Sequence, residues 1–257
     1  MKNKQVYTFG TYLKNKFKQK VYKVGINISG FTCPNIDGTV AKGGCTFCEN
    51  DSFSASTGKV QELKGFHLNL ESKSNPNLQL QLQQLESQFH AISLRQKNEY
   101  NAQKFLVYFQ SFTNTYAPFD TLKALYEKAL SFPNVIGLSI GTRSDSITDE
   151  TLQYLSTLSK TKEIWIEFGI QSVYDKTLDK INRGHSVENV KEVIIKSKEL
   201  GLNVCGHLIF GLPDESKEMM IETAKAAYSW GIDSVKYHPL YVVKKTALGN
   251  DFIKGSF

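Results

Sequence analysis

The chain is expected to fold as an α/β protein, a partial (β/α)6 TIM-like barrel with parallel strands and a functional loop after strand 1. Three observations lead there. From residue 104 onward, apolar segments of strand length alternate with helical patterns. The predicted helices carry cap and stop residues that separate them from the next strand. After the first strand there is neither a Gly-x-Gly-x-x-Gly nor a Walker-type lysine loop, which weakens the usual open nucleotide-binding sheets in favour of a barrel.

The six strands are VYKVGINIS (21–29), KFLVYFQSF (104–112), VIGLSIGT (135–142), EIWIEFGIQS (163–172), NVCGHLIFG (203–211) and SVKYHPLYVV (234–243). They are rich in β-branched and aromatic residues and read as buried parallel strands without clean alternation. Between them, 119–130 keeps Leu122, Leu125, Tyr126 and Ala129 on one helical face. The segment 148–160 opens with Thr148 as N-cap and acidic residues in its first turn; 186–201 runs from Ser186 to Gly201 and 216–231 from Ser216 to Gly231. Residues 1–20 form a basic extension. Residues 52–102 form an insertion in which Leu78, Leu82, Leu85 and Phe89 predict helix, while 60–75 reads as loop. Its Asn/Gln-rich part, 69–84, has the composition of a disordered insert. With no internal repeat, 1–257 reads as a single core domain.

Hydrophobic residues make up 40% and charged residues 22%, the balance of a soluble globular protein. Apolar runs are too short for a bilayer span and no signal-peptide pattern is present, so a cytoplasmic protein without membrane association is expected. The net charge of +6 permits a polyanionic partner without requiring one.

The stretch CPNIDGTVAKGGCTFCEN (33–50) carries Cys33, Cys45 and Cys48 on a glycine-rich loop directly after strand 1. In a reducing compartment such clusters indicate metal or redox chemistry. Structural zinc needs a fourth ligand, for which Cys205 would have to point out of its strand's end. A thioredoxin-like pair would use Cys45 and Cys48 but leave Cys33 without a part. An iron–sulfur cluster held by three thiolates would keep one iron open. The residues alone leave these alternatives standing.

The whole pattern resembles the radical S-adenosylmethionine (SAM) superfamily, in the wide-spaced Cys-x11-Cys-x2-Cys branch (YhcC/YtqA-like) related to Elp3-type and oxygen-independent coproporphyrinogen oxidase-type enzymes. GGCTFC, YFQSFTNTYAP (108–118), LSIGTRSDS (138–146), EFGIQS (167–172), INRGH (181–185), HLIFGLPDE (207–215) and KYHPL (236–240) carry the resemblance in order. It implies a [4Fe–4S] cluster on Cys33, Cys45 and Cys48, with SAM on its open iron. It further implies SAM contacts from Gln110 and Ser111 in the turn at the end of strand 2, Gln171 toward the ribose, Arg183 toward the carboxylate, Ile209 and Gly211 around the adenine, and His207, which stands where coproporphyrinogen oxidase-type relatives have an acidic residue. Many relatives carry a glutamate near the position of Gly141; its absence here leaves Arg143 and Asp145 as the nearby polar candidates, and Lys236 and His238 are candidates to face substrate. The implied activity is reductive SAM cleavage fed by an electron donor such as flavodoxin or ferredoxin. The implied substrate is transfer RNA, modified at the 5-substituent of wobble uridine. A metal-stabilised tRNA-binding module without catalysis, and an oxidative porphyrin or small-molecule enzyme, are the alternatives. Relatives in that branch often continue beyond strand 6, so a further carboxyl-terminal segment belongs to the pattern.

Overall fold

The structure, a computed structural model, describes residues 6–49, 63 and 65–255. Strands β1 (Val21–Ile26), β2 (Lys104–Phe109), β3 (Val135–Thr142), β4 (Glu163–Gln171), β5 (Asn203–Phe210) and β6 (Ser234–Pro239) pair in parallel and in chain order. The expected strands are all present, with β1, β2 and β6 ending several residues earlier than expected. The sheet is curled: Lys23 on β1 reaches Glu167 on β4, and Lys236 on β6 reaches Tyr108 on β2. Side chains of non-neighbouring strands meet in this way only across a concave face, so the six strands form a half-barrel.

Nine helices are described: α1 (Phe9–Phe17), α2 (Pro34–Asp37), α3 (Leu78–Tyr100), α4 (Phe119–Ser131), α5 (Asp149–Ser159), α6 (Asp175–Lys180), α7 (Val187–Glu199), α8 (Lys217–Ser229) and α9 (Ala247–Ile253). Thr148, Ser186 and Ser216 accept hydrogen bonds from backbone N–H groups of the first turns of α5, α7 and α8, as their capping chemistry predicts. The core lies between the sheet's convex face and these helices. Val24, Ile26, Phe105, Val107, Leu138, Ile140, Ile164, Ile166, Phe168, Val204 and Leu208 pack there against Leu122, Leu125, Leu152, Val190 and Ile194.

Two expectations are corrected. First, the strands do alternate. In β4 the residues Ile164, Ile166, Phe168 and Ile170 face the helices, while Glu163, Trp165, Glu167, Gly169 and Gln171 occupy the alternate positions. The same period brings Lys23, Tyr108, Ser139, His207 and Lys236 to the concave side, where a closed barrel would pack branched aliphatics. Second, the Asn/Gln-rich insert is ordered across its described part. Residues 69–77 are turns that lead into α3, which lies along the free edge of β1. Gln88 accepts from Asn27 N (3.0 Å) and donates to Asn27 O (2.7 Å). Gln84 accepts from Ser29 N (3.1 Å), Gln81 donates to Ser29 O (2.8 Å) and Gln96 donates to Lys23 O (2.9 Å). Glutamine recurs at helical spacing because one face of α3 satisfies backbone groups that a neighbouring strand would otherwise satisfy.

The basic extension also has a structural role. Helix α1 packs Phe9 edge-on against Trp165 (centroids 4.9 Å apart), and Lys16 and Tyr12 contact buried Glu163 at 2.6 and 2.9 Å. Because Glu163 begins β4, α1 covers the amino-terminal end of the half-barrel. The opposite end remains for function.

Candidate functional site

At the carboxyl ends of the strands the chain leaves β1 and enters the cysteine loop. Cys33 precedes the short α2, and consecutive positive φ angles at Gly43 (+83°) and Gly44 (+77°) turn the backbone into Cys45, a path that a side chain would strain. The loop is clamped by the segment after α6. Thr46 N donates to Ile181 O (3.0 Å), Asn182 Nδ2 to Gly44 O (2.8 Å), and buried Asn35 Nδ2 to Asn182 O (2.6 Å) and Arg183 O (2.9 Å). The INRGH motif therefore fixes the position of the cysteines.

The three thiols are not gathered as ligands of a single ion. Among the described residues, the one trio of potential ligand atoms within 4.8 Å of one another is Glu167, Cys205 and His207, which contains none of the loop cysteines. Tetrahedral zinc with sulfur at about 2.3 Å would hold its thiolates under 4 Å apart. Cys205 lies buried on β5 beside Glu167, away from the loop set, so the four-cysteine zinc arrangement is not formed. The wider spacing suits a body larger than one ion. Two buried guanidiniums flank it: Arg143 Nη1 lies 3.9 Å from Cys33 Sγ, and Arg183 Nη1 lies 3.7 Å from Cys45 Sγ. Positive charge here suits an anionic group, while burial and the neighbouring Cys45 and Cys33 push the Cys48 thiol up to about 11 against the pull of Arg183.

One cleft is lined by Cys33, Cys45 and Cys48 together with Gln110, Gln171, Arg183 and His207. Of the residues expected around SAM, Ser111 instead turns to Asn27 at the β1 edge, and Ile209 packs in a small apolar cluster with Leu178, Ile181 and Leu212. Gly211, at φ +89°, turns the chain out of β5, with Leu240 Cβ 3.8 Å from where its own Cβ would stand. Arg143 lines the cleft and is held by Asp145 (Nε to Oδ1, 2.8 Å).

The site fits a bound polar ligand on an observation of its own. Gln171 Oε1 and Arg183 Nε are buried without hydrogen-bond partners, although Arg183 Nη2 is anchored on Gly169 O at 2.8 Å. Buried polar atoms are ordinarily satisfied. Gly169 makes the room, since a Cβ there would stand 2.6 Å from Arg183 Nη2 and 2.7 Å from Gln171 Nε2.

Below the cysteines the half-barrel is polar, and sequence reasoning missed most of this floor. Glu167 accepts from Lys23 (2.6 Å) and Ser139, and its other oxygen meets His207 Nε2 at 2.7 Å. Although burial opposes ionisation, the His207 hydrogen bond and Lys23 hold the Glu167 carboxyl far below the usual range. Burial pushes His238 down to about 4, with Lys236 and His207 adding to the effect, and burial is also the leading cause that lowers His207. Outside this floor, burial and the Arg183 and Arg143 charges push His185 down to about 3. Between these values and the ordinary histidine value the unfolded chain binds more protons than the folded one. The histidine contribution is therefore complete above about pH 6.5 and is lost as pH falls toward 4. Urea melts should show a loss of about 2–4 kcal/mol between pH 6.5 and 5, above the range in which ordinary carboxylates chiefly titrate. A flat profile across that window would contradict neutral burial of these rings.

A parallel half-barrel with three spaced thiols on its first strand-to-helix loop, above a cleft with unsatisfied polar groups, belongs to the class of cluster- and cofactor-binding α/β barrels. Residues 38–227 match the family described as "Radical SAM superfamily", and the chain belongs to it. It is 36% identical to YtqA of Bacillus subtilis over 252 residues, covering 98% of this chain and 71% of that relative. It is 32% identical to a tRNA uridine(34) acetyltransferase of Methanocaldococcus infernus over 125 residues, covering 48% of this chain and 23% of that protein. The solved structure of the archaeal Methanocaldococcus infernus Elp3 lacking residues 1–46 superposes with a TM-score of 0.57 at 18% identity, covering 92% of this chain. The chain spans about half the length of that solved chain, 50%. None of the described helices is long and apolar enough to cross a membrane.

Proposed function

We propose that this chain is a radical SAM enzyme that acts on transfer RNA at the 5-substituent of a wobble uridine. Cys33, Cys45 and Cys48 would hold a [4Fe–4S] cluster. SAM would occupy the cleft between Gln110, Gln171, Arg183 and His207, with Gly211 and Ile209 shaping the adenosine end. Such a cluster, when bound and reduced, supplies the electron that cleaves SAM to methionine and a 5′-deoxyadenosyl radical.

The chain's own residues prepare that step. Arg183 presents a fixed fork of donors suited to a carboxylate, oriented by its bond to Gly169 O. Gln171, at φ +69°, directs an amide with a free oxygen into the same space, suited to a hydroxyl donor. Arg143 and Arg183 offset the negative charge of the thiolates. The α1 plug closes the far end of the half-barrel, which limits water and small reductants near a reactive intermediate. The observation that carries the reading is the pair of partnerless atoms on Gln171 and Arg183 beside spaced thiols. The tRNA substrate draws support from the name of the 32% identical acetyltransferase and from the net charge of +6.

The test is anaerobic reconstitution with iron and sulfide, then reduction by dithionite in place of flavodoxin or ferredoxin. Stoichiometric 5′-deoxyadenosine and methionine are expected, with faster turnover or product formation on hypomodified tRNA. RNA binding with an intact cluster and no cleavage would favour the non-catalytic module. Cleavage stimulated by a tetrapyrrole or other small molecule and not by tRNA would overturn the substrate assignment.

A further inference from the structure

We propose that the polar floor of the half-barrel is a carboxylate-binding subsite, with Lys236 as its anchor and Tyr108 and His238 beside it. Every strand contributes to this floor: Lys23, Tyr108, Ser139, Glu167, Cys205 with His207, and Lys236 with His238. Lys23 stands 4.2 Å from the Tyr108 ring centroid and Lys236 stands 5.4 Å from it, so both ammonium groups converge on one side chain. Against these two positive charges the floor holds a single carboxylate. Glu167 is already engaged by Lys23, Ser139 and His207, and its charge also acts on the Tyr108 hydroxyl. Lys236 has one hydrogen-bond contact, the Tyr108 hydroxyl at 3.4 Å, and no ion pair with an acidic side chain among the described residues; burial lowers its ammonium and the Glu167 charge, felt at longer range, opposes that. The His207 and His238 rings, 5.5 Å apart, are neutral near pH 7. Among the described residues the floor therefore carries a net charge of one positive unit, two ammonium groups against one carboxylate.

That balance selects the ligand. A monoanion neutralises the floor, whereas a phosphate dianion would overshoot it. A divalent cation on the Glu167, Cys205 and His207 trio would have to displace the Lys23 ammonium and would meet Lys236 as well. Tyr108, Glu167 and His207 also line the cleft that reaches the cysteines, so a carboxylate held here would hang the rest of its molecule beneath the radical source. The subsite rests on the proposed function only in treating the cleft assigned there to SAM as the place of the radical source, with substrate below it.

The experiment is thermal melting of the full chain at pH 7.5 and constant ionic strength, in chloride, acetate or phosphate. Saturating acetate should raise the midpoint by about 2–4 °C over chloride. The rise should vanish in Lys236→Met, persist in Lys236→Arg, and persist in Lys244→Met, which alters an exposed lysine. Should Lys236→Met fail to fold, Tyr108→Phe replaces it and should at least halve the rise. No rise in the wild type, an equal rise in Lys236→Met or in its Tyr108→Phe stand-in, or a rise with phosphate alone would overturn the subsite. Absence of SAM cleavage in the reconstituted protein would overturn the enzyme reading and leave this melting result unchanged, so the two failures are distinguishable.

Discussion

Iron content should fall from about four per chain to below one when Cys33, Cys45 or Cys48 is singly replaced by alanine in the reconstituted protein, and SAM cleavage should fall by about two orders of magnitude or more. Each cysteine stands at a separate point on the loop, and no nearby carboxylate or imidazole completes a trio with any of them among the described residues. Substitution would thus leave the proposed cluster short of one ligand without a replacement. Cys205→Ala is the informative control. It removes a buried thiol from the half-barrel floor, where burial pushes it up to about 12, so it is protonated at neutral pH. Full iron in Cys205→Ala and loss in each loop variant, read by iron assay and charge-transfer absorption, is the expected pattern. Iron loss in Cys205→Ala with the fold intact would revive a four-cysteine site.

Gly137→Ala should be the most destabilising conservative change in the sheet, costing more than about 3 kcal/mol and leaving little folded protein. An added Cβ would lie 1.8 Å from Glu163 O and 2.7 Å from Glu163 N, both backbone atoms of the paired strand β4. No rotamer relieves a clash with backbone, so β3 and β4 would have to separate where α1 docks on Glu163. Gly10→Ala supplies the opposite sign. It sits in α1 with nothing within 4 Å of the added atom, and alanine there should gain up to about 1 kcal/mol in helix propensity. Urea denaturation of the two variants in parallel checks both, and equal effects would refute the steric account.

Much of this was legible before any coordinates. Strand order, the helix caps at Thr148, Ser186 and Ser216, and the loop carrying Cys33, Cys45 and Cys48 follow from spacing and capping chemistry, because those signals are local. Of the floor of the half-barrel, His207, Lys236 and His238 are legible as candidates, whereas Lys23, Tyr108, Ser139 and Glu167 are not, although EIWIEFGIQ alternates strictly. Both faces of β4 are indeed buried, one by helices and one by the enclosed polar floor, so burial alone hides the period. The partners of Glu167 come from β1, β3 and β5, and only the curl of the sheet brings them together. Ser111 lies two residues beyond the end of β2, and its hydroxyl turns sideways to Asn27 while Gln110 lines the cleft.

The glutamine face of α3 has a consequence for how this protein can assemble. An amide head is neutral and both donates and accepts, so one residue type can match the N–H and C=O groups of Lys23, Asn27 and Ser29, which a lysine or glutamate could do only in part. The margin at β1 is thereby closed to strand addition at these positions, without placing a charge against the core. The half-barrel has been given a direction. Any growth of the sheet, whether by a further strand or by an extended peptide laid against it, is steered to the far margin at β6, where among the described residues the strand pairs with β5 alone.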